Sequence, residues 1–363
     1  MSVRAAVDRL LKEPADAWDA AGRIPVDVLR DLGRAGVLCA QVPAEHGGPG
    51  LSSVDNGDLT AAVGVHCGSV RSVMTAQGMA AWTVARHTDE RTRAAVLPRL
   101  VDGTLVGVGF SEPAAGSDLS TIATTVRRDG DEIVVDGGKV WVTGALYADL
   151  LLVFGTDGPR GAAVLVPTSA AGVTVTAAPP PLGCRAAGHA HVTFDAVRVP
   201  ADLLVAGAAP LAWLVTSALT YGRLSVAWGC VGILRACREA AVRHARDREQ
   251  FGRPIAGHQL VARHLANLWT GEQTALRACE HASRGWDDGS TGVFADAVLA
   301  KYVAADAAAR GAAAAVQVLA SAGVPDTTVV ARAYRDAKLM EIIEGSTEIC
   351  QTMLAEHALA VTE

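Results

Sequence analysis

The sequence predicts an α+β protein: an N-terminal helical domain over residues 1–106, a middle antiparallel β domain over 107–206 and a C-terminal four-helix bundle over 207–363. Two changes of hydrophobic period carry that reading. Apolar residues recur at helical spacing to about residue 105, gather into short strand-like runs to about 205, then return to helical spacing. A hydrophobic content of 50% supplies a large core, and with aromatics at only 4% much of it is Ala, which suits closely packed helices.

In the first segment VDVLRDLGRAGVL (26–38) and TAQGMAAWTVARH (75–87) keep the helical period, and VPAEHGGPGLS (42–52) breaks it with Gly and Pro. In the second, EIVVDGGKVWVTG (132–144) reads as two strands around Asp136-Gly137-Gly138, a hairpin signal. LLLVFGT, AAVLVP, GVTVTA and HVTFDAVRVP follow as further strands, with PPPLGC as an irregular connection. In the third, the run from Arg223 to His244 carries Leu224, Ala227, Val231 and Leu234 on one stripe and pairs Glu239 with Arg243 at i,i+4. Long helices with short connections point to a bundle.

Several function classes fall away. The net charge of -6 leaves no basic footprint for nucleic acid. The start, MSVRAAVDRLLKEPADAW, mixes Arg, Asp, Lys and Glu and reads as neither a signal nor a transit peptide. Apolar runs of membrane-spanning length are interrupted, the most Ala-rich by Asp306, Arg310 and Gln317, so the expectation is a soluble cytoplasmic protein without a membrane partner. The seven scattered cysteines, without C-x-x-C, read as reduced core thiols. His189-x-His191 offers two ligands and no third at useful spacing, so metal chemistry is not expected. No G-x-G-x-x-G stands between a strand and a helix, which argues against a Rossmann cofactor site.

One short stretch, EIIEGSTEI (341–349), holds three carboxylates. Glu341 continues a helical run and Glu348 falls in the first turn of the next helix. Glu344 precedes Gly345, a residue able to take the left-handed conformation that ends a helix, so it belongs at a helix-to-helix corner beside Ile342 and Ile343. A carboxylate held against apolar groups has a raised pKa and becomes a usable base; a corner glutamate can equally be solvated. Other stretches carry the same double reading. VGFSEPAAGSDLS (108–120) brings Ser111, Ser117 and backbone N–H groups together, as a polar anchor or as a well-capped loop. KVWVTGA puts Trp141 and Thr143 on one strand face, to shield and hydrogen-bond a flat group or simply to pack. In ARDREQFGRPI (245–255), Arg248 is a phosphate clamp or a solvated arginine, with Phe251 beside it.

Taken in order, these motifs resemble the acyl-CoA dehydrogenase superfamily along nearly the whole chain. VPAEHGGPGLS is similar to its N-terminal signature, GFSEPAAGSDLS with KVWVTGA to its flavin-facing β domain, YGRLSVAWGCVGILRACREAAVRHARDREQFGRPIAGHQ to its bundle signature, and RDAKLMEIIEGSTEI to its catalytic corner. The resemblance implies FAD held noncovalently between β domain and bundle. It places Ser111 and Thr143 as donors to the isoalloxazine, Trp141 packed near it, and Ser117 near the phosphates or the thioester. It sends Arg248, Phe251 and Gln317 to the FAD of a neighbouring subunit, which implies a homo-oligomer, and sets Gly345 and Ser346 beside the adenine half. Glu344 becomes the base that takes the α-proton as the β-hydride leaves. The implied partners are an acyl thioester on coenzyme A or an acyl carrier protein, and an electron acceptor such as electron-transfer flavoprotein.

The departures concern recognition. Ile343 stands where the family usually has Tyr before the base; its L-D-x-G-R appears as Leu219-Thr220-Tyr221-Gly222-Arg223; Ala320-Ser321 replaces its Gly-Gly. Arg71, in GSVRSVMT (68–75), falls at the wall of the family's acyl pocket, where it meets a hydroxyl or carboxylate, or else lies on a helix surface. Arg71 and Arg223 are therefore the candidate substrate contacts. The chain is similar to dehydrogenases that make hydroxymalonyl- or methoxymalonyl-carrier extender units for ascomycin-type polyketides. Competing readings are an acyl-CoA dehydrogenase of short- or branched-chain catabolism, an acyl-CoA oxidase, and a catalytically silent oligomer that binds acyl carriers.

Overall fold

The computed structural model describes residues 3–11, 15–207 and 209–361. Helices α1 (Val3–Leu11), α2 (Ala15–Ala21), α3 (Val26–Arg34), α4 (Ser53–His66), α5 (Gly68–His87) and α6 (Glu90–Val101) come first. Ser52 starts α4 by accepting from the Asp55 N–H, and Asp89 starts α6 by accepting from the Thr92 N–H. Helix α5 is buried along most of its length, so any charged residue on it needs a reason.

The sheet follows: β1 (Val106–Gly109), β2 (Thr125–Asp129), β3 (Glu132–Val142), β4 (Leu150–Asp157), β5 (Arg160–Pro167), β6 (Val173–Ala177), β7 (Ala190–Pro200) and β8 (Leu204–Ala206). Its order is β6-β7-β3-β2-β4-β5-β8, with β1 also on β4. Two expectations are corrected here. The sheet is mixed rather than purely antiparallel, because β1 and β2 both run parallel to β4. Alternation identifies strands without fixing their neighbours, and β3 lies between β2 and β7 instead of pairing with β4. Nor is Asp136-Gly137-Gly138 a hairpin turn. The turn sits at Gly130, between paired Asp129 and Glu132, and the Gly-Gly pair is a bulge within β3 where the register against β7 shifts. Gly137 has φ 135°, and a Cβ there would stand 2.7 Å from Thr124 Oγ1, so glycine serves a close approach within a strand.

The last segment holds α7 (Leu211–Asp247), α8 (Gln259–Asp287), α9 (Val293–Leu319), α10 (Val329–Met340) and α11 (Thr347–Ala360), with a small hairpin of β9 (Glu249–Gln250) and β10 (Arg253–Pro254) between α7 and α8. Helix α7 is the central post: α8, α9 and α10 pack on it as a bundle, while α4 and α5 of the first segment also lie against it. Helix α9 is long and apolar enough by composition to cross a bilayer. Its Ala297, Ala300, Ala304, Ala308 and Ala312 are nonetheless buried in the shared bundle core. All seven cysteines are buried and free. Salt bridges tie the segments together at the first two turns of α10: Arg332 to Asp16, Arg335 to Asp19 and Asp326, and Arg185, from the loop before β7, to Asp326.

A buried ion pair fixes the loop that follows β1. Lys139 of β3 donates from Nζ to Glu112 Oε1 at 2.6 Å and to the Phe110 carbonyl at 3.0 Å, and its side chain is fully buried. Glu112 also accepts from the N–H groups of Ala123 and Thr124. Burial pulls the Glu112 pKa upward, but the bonds from Lys139 and Thr124 outweigh it and hold the carboxyl below the usual range. Removing one partner strands the other charge. Lys139→Met is expected to lower the unfolding free energy by about 3 kcal/mol, read by urea denaturation, and Lys139→Met/Glu112→Gln to restore more than half of that.

Candidate active site

Helix α10 ends at Met340, and the chain turns through 341–346 before Ser346 caps α11 by accepting from the Ile349 N–H. Glu344 and Gly345 are both left-handed at this corner, with φ 56° and 100°. A left-handed non-glycine residue is strained and persists only when its surroundings hold it. Two buried cations do so through main-chain carbonyls: Arg223 of α7 donates from Nε to the Glu344 carbonyl at 3.1 Å, and Lys301 of α9 donates from Nζ to the Gly345 carbonyl at 2.5 Å. Arg223 also lies over the Phe294 ring, 5.3 Å from its centroid.

This turn directs the carboxylate inward. Glu344 Oε2 is enclosed and, among the described residues, has no hydrogen-bond partner. It lies so close to α7 that any Cβ at Gly222 would collide with it and with the Met79 methyl. Burial raises the Glu344 pKa to about 7 against the opposing pull of Arg223, Lys301 and Arg71. Of the isoleucine flank expected from the sequence, Ile342 is 58% exposed and adds no burial, whereas Ile343 is half-buried and packs against the bundle core. The enclosing groups come from α5 and α7, far away in sequence.

Arg71 is not a surface residue. It is 1% exposed on α5, donating to Thr75 Oγ1 at 3.2 Å and to Met340 Sδ at 3.1 Å. Among the described residues it has no ion-pair partner, although its charge acts on Glu344. Thr75 shares a 2.7 Å hydrogen bond with Ser225 of α7, and Ser225 helps line a small cavity with Gln41, Asn56, Thr60 and Tyr221. The wall between α5 and α7 is thus polar at its centre.

On the sheet side, β3 ends in a second bulge at which Trp141 has φ 56° and is 48% exposed, its N–H donating to His191 Nδ1 at 3.3 Å. Thr143 follows, half-buried, with Oγ1 3.4 Å from His189 Nδ1. Ser111 is fixed opposite, its carbonyl accepting from the Val140 N–H at 2.8 Å. Ser117 is exposed on the loop beyond.

The structure therefore gathers Glu344, Arg223 and Arg71 into one buried charge cluster, and Ser111, Trp141 and Thr143 onto one end of β3. Arg248, Phe251 and Gln317 are elsewhere on exposed surface; Phe251 is 93% exposed with φ 53° at the tip between β9 and β10. The sequence reading missed Lys301, Thr75, Ser225 and Gly222, and weighed His189 only as half of a metal pair, which it set aside. Lys301 had a signal: it is a lone cation in register with Ala297, Ala304 and Ala308, which form a buried helical stripe. The others become neighbours of Glu344 or Arg71 only when α5 packs on α7.

The donor set suits a flat aromatic cofactor with polar ring edges. An exposed indole, a hydroxyl and a pinned polar loop lie at the end of β3, and an orphaned carboxylate oxygen is buried at the α7–α10 corner. Comparison with known proteins agrees. Residues 1–104, 107–197 and 213–359 match the models of the acyl-CoA dehydrogenase N-terminal, middle and C-terminal domains. A glutaryl-CoA dehydrogenase of Desulfococcus multivorans is 31% identical over 374 residues, covering 99% of this chain and 95% of that protein. A solved structure described as FkbI, for biosynthesis of the methoxymalonyl extender unit of the Fk520 polyketide immunosuppressant, is 58% identical with a TM-score of 0.94, covering 98% and 99% of the two chains. A glutaryl-coenzyme A dehydrogenase solved with glutaryl-CoA is 28% identical, also with a TM-score of 0.94, covering 99% of this chain and 93% of that one. The chain belongs to the acyl-CoA dehydrogenase family.

Proposed function

We propose that this protein is an FAD-dependent dehydrogenase that takes hydrogen from the α- and β-carbons of a small polar acyl group carried as a thioester on an acyl carrier protein, in the cytoplasm, for polyketide extender-unit supply. Ser111, Thr143 and Trp141 would hold the flavin ring, with Ser117, Gly345 and Ser346 near its phosphate and adenine portions. Arg248, Phe251 and Gln317 would reach the cofactor of a neighbouring copy in a homo-oligomer. Bound there, FAD supplies the hydride acceptor, and electrons then leave to a partner such as electron-transfer flavoprotein.

The chain's own groups supply the rest. Glu344 takes the α-proton on its enclosed carboxylate, and its backbone N–H is a donor for the thioester carbonyl, whose developing negative charge it would stabilise. Arg223 and Lys301 hold the strained corner so that the carboxylate stays aimed inward. The polar-acyl reading rests on a single observation: a guanidinium 1% exposed that, among the described residues, forms no ion pair and donates to Thr75 Oγ1 and Met340 Sδ, with only the more distant fields of Glu344 and Asp336 to offset its charge. A fatty tail would leave that cation unsatisfied, whereas a hydroxyl or carboxylate would complete it. The 58% identity to a structure described for methoxymalonyl extender-unit biosynthesis supports the carrier-bound, polyketide side of the reading.

Glu344→Gln is expected to lower kcat by about a thousandfold while leaving flavin absorbance in place, and parental turnover by that variant would sink the reading. Activity in the parent is expected to rise with pH around a midpoint near 7 as the base ionises. Stability should run the other way. Glu344 binds its proton more tightly folded than unfolded, so stability falls as pH climbs from 4.5 to about 7 and then levels off. Glu344→Gln should therefore exceed the parent by about 2–3 kcal/mol above that window in urea denaturation, with the gap closing below it. Arg71→Met should reduce kcat/KM for a carrier-bound hydroxyacyl thioester by about a hundredfold, with a far smaller effect on butyryl-CoA. If butyryl-CoA is the better substrate of the parent enzyme, the polar-acyl reading is wrong.

A further inference from the structure

His189 and His191 flank the end of β3 at its second bulge. Lys139 pairs with Val192 and Val142 with Ala190, so two residues of β3, Val140 and Trp141, stand opposite the single residue His191 of β7. Both N–H groups of the bulge find partners outside the ladder. Val140 donates to the Ser111 carbonyl at 2.8 Å, and Trp141 donates to His191 Nδ1 at 3.3 Å. His189 Nδ1 is engaged as well, 3.4 Å from Thr143 Oγ1. Among the described residues no group of three or more metal-ligating side chains forms, so the pair has other work.

A backbone N–H can only donate, so His191 Nδ1 accepts and is bare; in the neutral ring the proton sits on Nε2. Trp141 needs that support. Its φ of 56° is strained for a residue with a Cβ and persists only where the surroundings hold it. Its indole is 48% exposed, so packing alone fixes it only in part. Both imidazoles meet that indole edge-on, His191 with centroids 5.8 Å apart and His189 with centroids 6.1 Å apart. His191 is itself anchored, because β7 lies between β3 and β6 and pairs His191 with Thr176. The two histidines thus touch both side chains that the end of β3 offers a flat cofactor.

We infer that His191 is a positioning residue for the flavin: its Nδ1 holds the Trp141 N–H, and with it the left-handed bulge that presents the indole, while His189 braces the same indole and the Thr143 hydroxyl. The inference rests on the FAD reading above and adds the residues that set its ring-binding groups. His191 acts through Trp141. Without an acceptor at that point the bulge loses its bond from Trp141 to β7, residue 141 relaxes toward negative φ, and the indole turns away from the aim that β3 gives it. Order already present before the cofactor arrives lowers the cost of binding it.

Two substitutions separate the bond from the bulk. His191→Asn keeps an acceptor oxygen at the δ1 position, and His191→Leu fills similar space without one; His191→Ala replaces the latter should it not fold. The first readout is hydrogen exchange of the Trp141 amide by NMR, in deuterated protein carrying nitrogen-15 only at its tryptophans, with the signal assigned by its loss in Trp141→Phe. Exchange is expected to be about tenfold faster in His191→Leu than in the parent, and within about threefold of the parent in His191→Asn. The second readout is the rate of FAD release from the diluted holoenzyme, followed by the emission of free FAD. That rate should rise about tenfold in His191→Leu and return most of the way in His191→Asn. Parental exchange in His191→Leu, parental FAD release in that variant, or a His191→Asn protein that behaves like His191→Leu would each overturn the inference. A parent protein that takes up no FAD would overturn the cofactor reading itself, and the amide exchange, which needs no flavin, keeps the two failures apart.

Discussion

The site depends on the confinement of one carboxylate against the backbone of α7. Glu344 can be enclosed there only because Gly222 has no side chain and because the corner 344–345 turns left-handed, which aims the carboxylate at α7 instead of into solvent. That conformation is costly for a non-glycine residue, and an uncompensated buried charge is costlier. Two further buried cations answer both problems together. Arg223 and Lys301 bind the carbonyls of the corner, and their charge partly offsets the desolvation of the carboxylate they flank. Burial in turn lowers the pKa of each cation, while Glu344 pulls both back up. The carboxylate, its aim and its proton affinity are set by the same few contacts.

The rest of the architecture serves that confinement. Helix α7 is held between the bundle and α4–α5, so it cannot move away from the corner without disturbing two cores. The α2–α10 salt bridges fix the first two turns of α10, the end farther from the corner. Helix α5 brings Arg71 and Thr75 against α7, where Thr75 meets Ser225, which makes this wall polar. On the sheet side, two bulges in β3 change which way its residues point, and the Lys139–Glu112 pair holds the loop carrying Ser111 against them.

Much of the fold was legible in the sequence because the hydrophobic period switches twice, and period depends on local side-chain direction. Strand order was not, because β3 pairs with β7 across a long separation and leaves β4 to β2. The Gly-Gly pair in β3 misled for a related reason: the same residues serve a turn or a bulge, and only the approach of Thr124 decides which. At the site, Glu344 was legible through its neighbour Gly345, whereas the source of its desolvation was not. Ile342 points to solvent, and the enclosing Met79 and Gly222 are distant in the chain. Arg71 drew notice because its stretch falls at the wall of the family's acyl pocket, but only packing of α5 on α7 shows it to be buried and, among the described residues, without an ion pair. The contact of His189 with Thr143 was not legible, since the sequence shows only its spacing to His191.

The most direct measurement is a titration of the Glu344 carboxyl itself. Infrared or carbon-NMR spectra of the protein labelled at glutamate Cδ, assigned by difference against Glu344→Gln, follow that one group through the acid range. The account predicts a midpoint near 7, well above the 4.5 of an ordinary glutamate. A midpoint at the ordinary value would mean that water reaches the carboxylate, and the confinement on which the site depends would be absent.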